Sequence, residues 1–165
     1  MPKVAIIMGS DSDFPNIRGA IKILKEYDVE VTVKVMSAHR TPDDATDFAK
    51  NARANGYEVI IAAAGKAAHL PGVLAAFTTL PVIGVPIKAS TLDGIDALLS
   101  IVQMPKGIPV ATVAIDGADN AALLALEMLS LKYPEIADKL LLFKVEMADE
   151  VRAKDKKIQD EVNKI

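Results

Sequence analysis

The chain contains two histidines, and each lies in a polar loop that directly follows a run of apolar, β-prone residues. His39 stands in Ser37-Ala38-His39-Arg40-Thr41-Pro42, after residues 31–36. His69 stands in Gly65-Lys66-Ala67-Ala68-His69-Leu70-Pro71-Gly72, after residues 59–63. Histidine is the side chain whose ordinary pKa, about 6.5, lets it gain or lose a proton near neutrality. An isolated histidine is most often a structural residue with ordinary hydrogen bonds. Two at equivalent positions, with none elsewhere, point to function. In open parallel α/β sheets, ligands bind beyond the carboxyl ends of the strands, and both imidazoles fall there.

A third candidate loop, Gly9-Ser10-Asp11-Ser12-Asp13, follows the first apolar run. Its glycine permits close backbone approach, and its hydroxyls, together with the start of the next helix, supply donors for a phosphate. Ser and Asp also gather at helix starts for structural reasons. The loop is neither a P-loop nor a dinucleotide fingerprint, since it has one glycine and no Gly-Lys-Ser/Thr. Arg40 adds a guanidinium beside His39, a bidentate clamp for phosphate or carboxylate. No histidine pair has the spacing of metal ligands, no serine sits in a nucleophile elbow, and cysteine is absent. What remains is proton transfer on a small anionic substrate, with no metal.

The elements that must position these loops alternate. Residues 4–8, 31–36, 59–63, 81–85 and 110–115 read as strands, most of them apolar without strict alternation, as in parallel sheets covered on both faces. Phe14, Ile17, Ala20, Ile21 and Leu24 share one helix face, as do Ala45, Phe48, Ala49 and Ala52. Asp13 and Thr41 are expected to cap these two helices, with Pro15 and Pro42 in their first turns. The pattern predicts βαβ units with right-handed crossovers. Residues 67–87 carry no Asp, Glu, Lys or Arg, but three prolines and two glycines break them into a helix and a strand rather than a membrane span. Residues 120–131 are apolar around almost the whole helical circumference, which predicts burial on all sides, partly against a neighbouring subunit. A long helix begins at Pro134, apolar at first and heavily charged at its end.

The composition sets bounds. At 165 residues the chain is expected to form one domain, residues 1–165, with a core over 1–131 and a helical extension over 132–165. A net charge of -3 and a pI near 5.4 argue against a nucleic-acid partner. The lysine-rich stretch at 154–157 is a solvated helix face. The start Met1-Pro2-Lys3 enters a strand at once and predicts no signal peptide, and the absence of cysteine fits a cytoplasmic protein. An apolar fraction of 51%, slightly above the usual range, suggests surface buried against other copies.

In combination, five stretches resemble the 5-(carboxyamino)imidazole ribonucleotide mutase family of purine biosynthesis. They are GSDSD at 9–13, SAHRTP at 37–42, AAHLPG at 67–72, LPVIGVP at 80–86 and SIVQMPKGIPV at 100–110, with NAALLA at 120–125 fitting as well. The resemblance implies a flavodoxin-like, three-layer αβα fold, a homo-octamer, and carboxylate transfer without metal, ATP or biotin, hence no cofactor. It further implies that Ser10, Ser12, Asp13 and Arg40 bind the ribose phosphate. Ser37, Ala67, His69 and Leu70 would line the pocket for the base and carboxylate of an aminoimidazole ribonucleotide, and His39 would move the proton. A sister carboxylase that uses free carbon dioxide is the nearest rival, against which the AAHLPG string speaks. A non-catalytic flavodoxin-like nucleotide-binding module is the other.

Three departures from the family pattern stand out. Ala63 and Lys66 occupy positions commonly glycine, Phe14 stands where tryptophan is usual, and residues 115–119 are short and acidic. If the backbone at Lys66 has a positive φ, the lysine adds strain of about 1 kcal/mol or more. Its side chain is expected to point outward.

Overall fold

Five parallel strands form one sheet in the order β2-β1-β3-β4-β5, and a computed structural model describes all residues 1–165. The strands are β1 (Lys3–Met8), β2 (Glu30–Val35), β3 (Val59–Gly65), β4 (Val82–Ile87) and β5 (Ala111–Thr112). The helices are α1 (Phe14–Glu26), α2 (Pro42–Ala52), α3 (Leu70–Phe77), α4 (Ile95–Val102), α5 (Ala118–Ser130) and α6 (Pro134–Val162). This is the flavodoxin-like strand order.

The chain direction across the sheet reverses after β2. Right-handed crossovers then put α1 on one face and α2, α3 and α4 on the other. Side-chain alternation along the strands builds both layers at once. Val4, Ile6 and Met8 of β1 join Val59, Ile61 and Ala63 of β3 in the core under α1, α5 and α6. Ala5 and Ile7 join Ile60, Ala62 and Ala64 in the core under α2, α3 and α4. The central strands therefore read as unbroken apolar runs because neither face meets water. β2, at the edge, is only partly covered.

One expectation needs correction and another is met in part. The predicted strand at 110–115 is reduced to two residues. Val113 donates to the Gly84 carbonyl, so even-numbered residues of β4 face β5. The next of these is Pro86, which has no N–H to continue the ladder. The neighbouring chain slips, and Asp116, at φ 56°, donates to the Pro86 carbonyl instead. The stretch at 120–131 is buried by its own chain only in part: Leu123, Leu124 and Met128 of α5 stay half-buried, and Leu131 is exposed. The helix packs on α1, α6, β3 and β4 of its own chain, and Ala121, Ala122, Ala125, Leu126 and Leu129 are buried there.

The segment at 67–87 is a helix and a strand as expected, and no helix is long and apolar enough to cross a membrane. The last helix is long, 29 residues, or about 44 Å at 1.5 Å per residue. Only Ile136 and Leu140 in it are buried.

Candidate active site

The sheet reverses direction between β1 and β3, and the loops that leave these two strands flank a cavity of about 630 Å³. Ser10, Ser12, Asp13, Ser37, His39, Arg40, Ala67, His69 and Leu70 all line it. These are the nine site residues expected from the sequence, contributed by three different loops and, for Leu70, the first residue of α3.

The loop after β1 is a single 3-10 turn over Asp11–Asp13. Ser10 Oγ accepts from the Ser12 amide at 3.3 Å and from the Ser12 hydroxyl at 2.9 Å. Asp13 Oδ2 accepts from the Ser10 amide at 3.3 Å. This corrects one expectation: the Asp13 side chain does not cap α1 but closes a reciprocal box with Ser10 around the turn. Asp13 is 7% exposed, the one buried charged residue of the chain. Burial pushes its carboxyl above the ordinary aspartate value, the Ser10 amide partly offsets this, and the nearby Asp11 charge adds to the rise.

The loop after β2 is a tight turn closed on itself. The Thr41 amide donates to the Ser37 carbonyl at 2.9 Å, Thr41 Oγ1 accepts from the Ser37 amide at 2.9 Å, and Ser37 Oγ accepts from the Arg40 amide at 3.1 Å. Thr41 thus spends its hydroxyl within the turn and, contrary to expectation, does not cap α2 with its side chain. Arg40 Nη2 donates to the Gly9 carbonyl at 3.0 Å, tying the β2 loop to the β1 loop. The turn leaves His39 exposed at its tip.

The decisive contact joins the two imidazoles. His39 Nε2 lies 2.7 Å from His69 Nδ1, with the rings nearly perpendicular at 79°. At that separation one nitrogen donates and the other accepts, so the pair holds one shared proton and at most one positive charge while the contact lasts. His69 is fixed because α3 begins immediately after it, with Pro71 in the first turn. Val73 donates to its carbonyl at 2.9 Å.

Two cations besides Arg40 line the cavity, Lys66 and Lys88. Lys66 has φ 55°, left-handed backbone that strains an L-residue by about 1 kcal/mol. It is exposed, and the residue lines the cavity. Lys88 pairs with Asp93 at 3.3 Å, and its amide donates to Asp116 Oδ1 at 2.9 Å. Ile87, Lys88 and Ala89, at the exit of β4, are wall residues that the sequence reading missed. The strand-end rule, carried past Pro86 in the motif LPVIGVP, would have found them.

Residues 3–150 match the family described as AIR carboxylase. The chain belongs to that family. It is 64% identical over 147 residues to the N5-carboxyaminoimidazole ribonucleotide mutase of Pyrococcus abyssi, covering 89% of this chain and 84% of that protein. It is 56% identical to the protein of the same name from Thermotoga maritima, covering 96% and 93%. Among solved structures, Treponema denticola PurE superposes with a TM-score of 0.87 at 31% identity, over 95% of this chain and 98% of that one. The family match ends at residue 150, so the last turns of α6 lie beyond it.

Proposed function

We infer that this chain is an N5-carboxyaminoimidazole ribonucleotide mutase, an isomerase of purine biosynthesis. It interconverts N5-carboxyaminoimidazole ribonucleotide and 4-carboxy-5-aminoimidazole ribonucleotide. The reaction moves a carboxylate from an exocyclic nitrogen to a ring carbon. The nitrogen–carbon bond breaks, its electrons stay on nitrogen, and that nitrogen takes a proton as carbon dioxide leaves. The ring carbon then attacks the carbon dioxide and gives up its own proton. One proton is supplied and one removed, so a single imidazole acting first as acid and then as base closes the cycle.

In this reading His39 is the proton carrier and His69 its partner. The observation that carries it is the 2.7 Å contact between their rings in the wall of the cavity. His69 can hold or return the His39 proton between the two steps without recourse to bulk water. Ser10, Ser12 and Arg40 receive the phosphate, which a carboxylate would repel. Asp13 is suited instead to accept from ribose hydroxyls at the edge of the phosphate site. Ser37, Ala67 and Leu70 shape the wall around base and carboxylate. Carbon dioxide has to be retained between the steps, which requires the reacting groups to be held in place and water kept out.

The resemblance also implies an octamer working in the cytoplasm. The wide apolar exposure of α4 and α6 supports assembly of some kind.

Mixing the purified protein with N5-carboxyaminoimidazole ribonucleotide and following ultraviolet absorbance tests the activity. Wild type is expected to turn substrate over. His39→Asn, which keeps size and some hydrogen bonding but cannot shuttle a proton near neutrality, is expected to lose about 100-fold to 10,000-fold in kcat while still binding nucleotide in calorimetry. Wild-type-like turnover by that variant would remove His39 from the mechanism.

A further inference from the structure

The proton carrier and the phosphate loop account for most of the polar wall but leave one cation without a task. Arg40 is engaged by the Gly9 carbonyl at 3.0 Å, and Lys88 by Asp93 at 3.3 Å. Lys66 makes neither an ion pair nor a side-chain hydrogen bond in the folded chain, although the residue lines the same cavity.

Its backbone sharpens the question. At φ 55°, glycine would occupy this position without steric conflict, so local stability gives no reason for a lysine. Strained residues of this kind concentrate at ligand sites. The preceding residue, Gly65, is packed tightly against the exit of β4: a Cβ there would lie 3.3 Å from the Ile87 carbonyl oxygen. The β3 exit is thereby held beside Lys88, and Lys66 is set between that strand end and His69, three residues on.

The direction of the charge follows. The phosphate end of the cavity is formed by the β1 loop and Arg40, which are tied together. Lys66 stands instead in the loop that carries His69, whose ring meets His39. In the mutase reading the migrating carboxylate has to lie beside that imidazole pair. The bound nucleotide carries two anionic groups; Arg40 stands at the end that takes one of them, and Lys66 stands in the loop that carries His69, beside the other.

We propose that Lys66 is a further substrate-binding residue that pairs with the migrating carboxylate, and that in this chain it adds to the preference for carboxylated over uncarboxylated aminoimidazole ribonucleotides. The proposal rests on the mutase reading, but it is tested by binding, which turnover does not confound.

Calorimetry on the full chain compares 4-carboxy-5-aminoimidazole ribonucleotide with aminoimidazole ribonucleotide, which has the same phosphate and ring but no carboxylate. For Lys66→Met, affinity for the carboxylated nucleotide is expected to fall about fivefold to thirtyfold, the scale of one charge-assisted contact open to solvent. Affinity for the uncarboxylated nucleotide should stay within about twofold. Lys66→Arg should keep the discrimination. Lys66→Gly should reduce it as Met does while melting at a higher temperature, because glycine relieves the left-handed strain. Equal losses for both nucleotides, or discrimination undiminished in Met and Gly, would overturn the assignment. A wild-type protein that discriminates through Lys66 but does not turn over N5-carboxyaminoimidazole ribonucleotide would instead sink the mutase reading and leave the lysine's role standing.

Discussion

Asp13 shows how a site residue can work against the fold that carries it. Its folded-state pKa is raised, chiefly by burial, so the folded chain holds the proton more tightly than the unfolded chain does. Stability then falls as pH rises from the ordinary aspartate value through the raised one, and above it the buried charge is a constant liability. Asp13→Asn removes that liability and keeps an oxygen to accept from the Ser10 amide. Thermal melts are expected to show the variant gaining on wild type as pH rises above the ordinary aspartate range, while calorimetry shows weaker nucleotide binding. A melting difference that does not change with pH would mean that the carboxyl is not the source of the effect. At this scale the three loops were legible, because the strand-end rule needs only the apolar runs and the polar residues after them; Ser37, Ala67 and Leu70 came from the family resemblance instead, and all nine candidates line one cavity. The side-chain bonds were not. Asp13 and Thr41 both have cap-forming side chains, but each found a nearer backbone donor inside its own loop, and sequence alone does not rank such competing partners.

The elements were legible where periodicity runs long enough to be unambiguous, and least so where one proline edits a ladder. β5 shrinks because Pro86 withholds an N–H from it, a pairing consequence invisible until β4 and β5 are known to be neighbours. Gly84, two residues earlier on the same strand, governs packing instead of hydrogen bonding. Its open face is filled by the side chains of Ile101 on α4 and Val110 before β5, leaving no room for a Cβ. This glycine lets α4 close onto the sheet, and with it the layer that carries α3 and His69. Gly84→Ala is expected to cost about 1–3 kcal/mol through overpacking, lowering Tm by roughly 2–4 °C per kcal/mol in a chain of this size. Unchanged melting would show that α4 can move away freely. Reduced turnover at a temperature where the variant is fully folded would show that displacement of this layer reaches the histidine pair.

At the scale of the whole molecule, the apolar surplus noted in the composition spreads well beyond the stretch at 120–131 on which the sequence pattern placed it. α5 has the most uniformly apolar circumference, yet its own chain covers it on several sides, since α6 folds back across it. A periodicity argument finds the apolar residues of a helix but cannot count the helices that will surround it. The unpaired surface is on α4 and its approach, where Leu92, Ile95, Leu99 and Val102 fall at helical spacing and are each about half exposed. A second stretch runs along α6 through Leu141, Val145, Val151, Ile158 and Val162. Contiguous apolar surface of this extent is characteristic of association sites. In the oligomeric reading, both stretches are covered by other copies. Light scattering at micromolar concentration is then expected to give a mass several times the 17.6 kDa of one chain, eightfold if the octamer implied by the resemblance holds. Leu99→Glu, which places a charge in the α4 stripe without disturbing the buried Ala97 and Ile101 of the same helix, should shift the mass toward smaller species while circular dichroism stays native. A stable monomer for wild type would refute assembly outright. An unchanged assembly in Leu99→Glu would move the contact from α4 to the exposed face of α6.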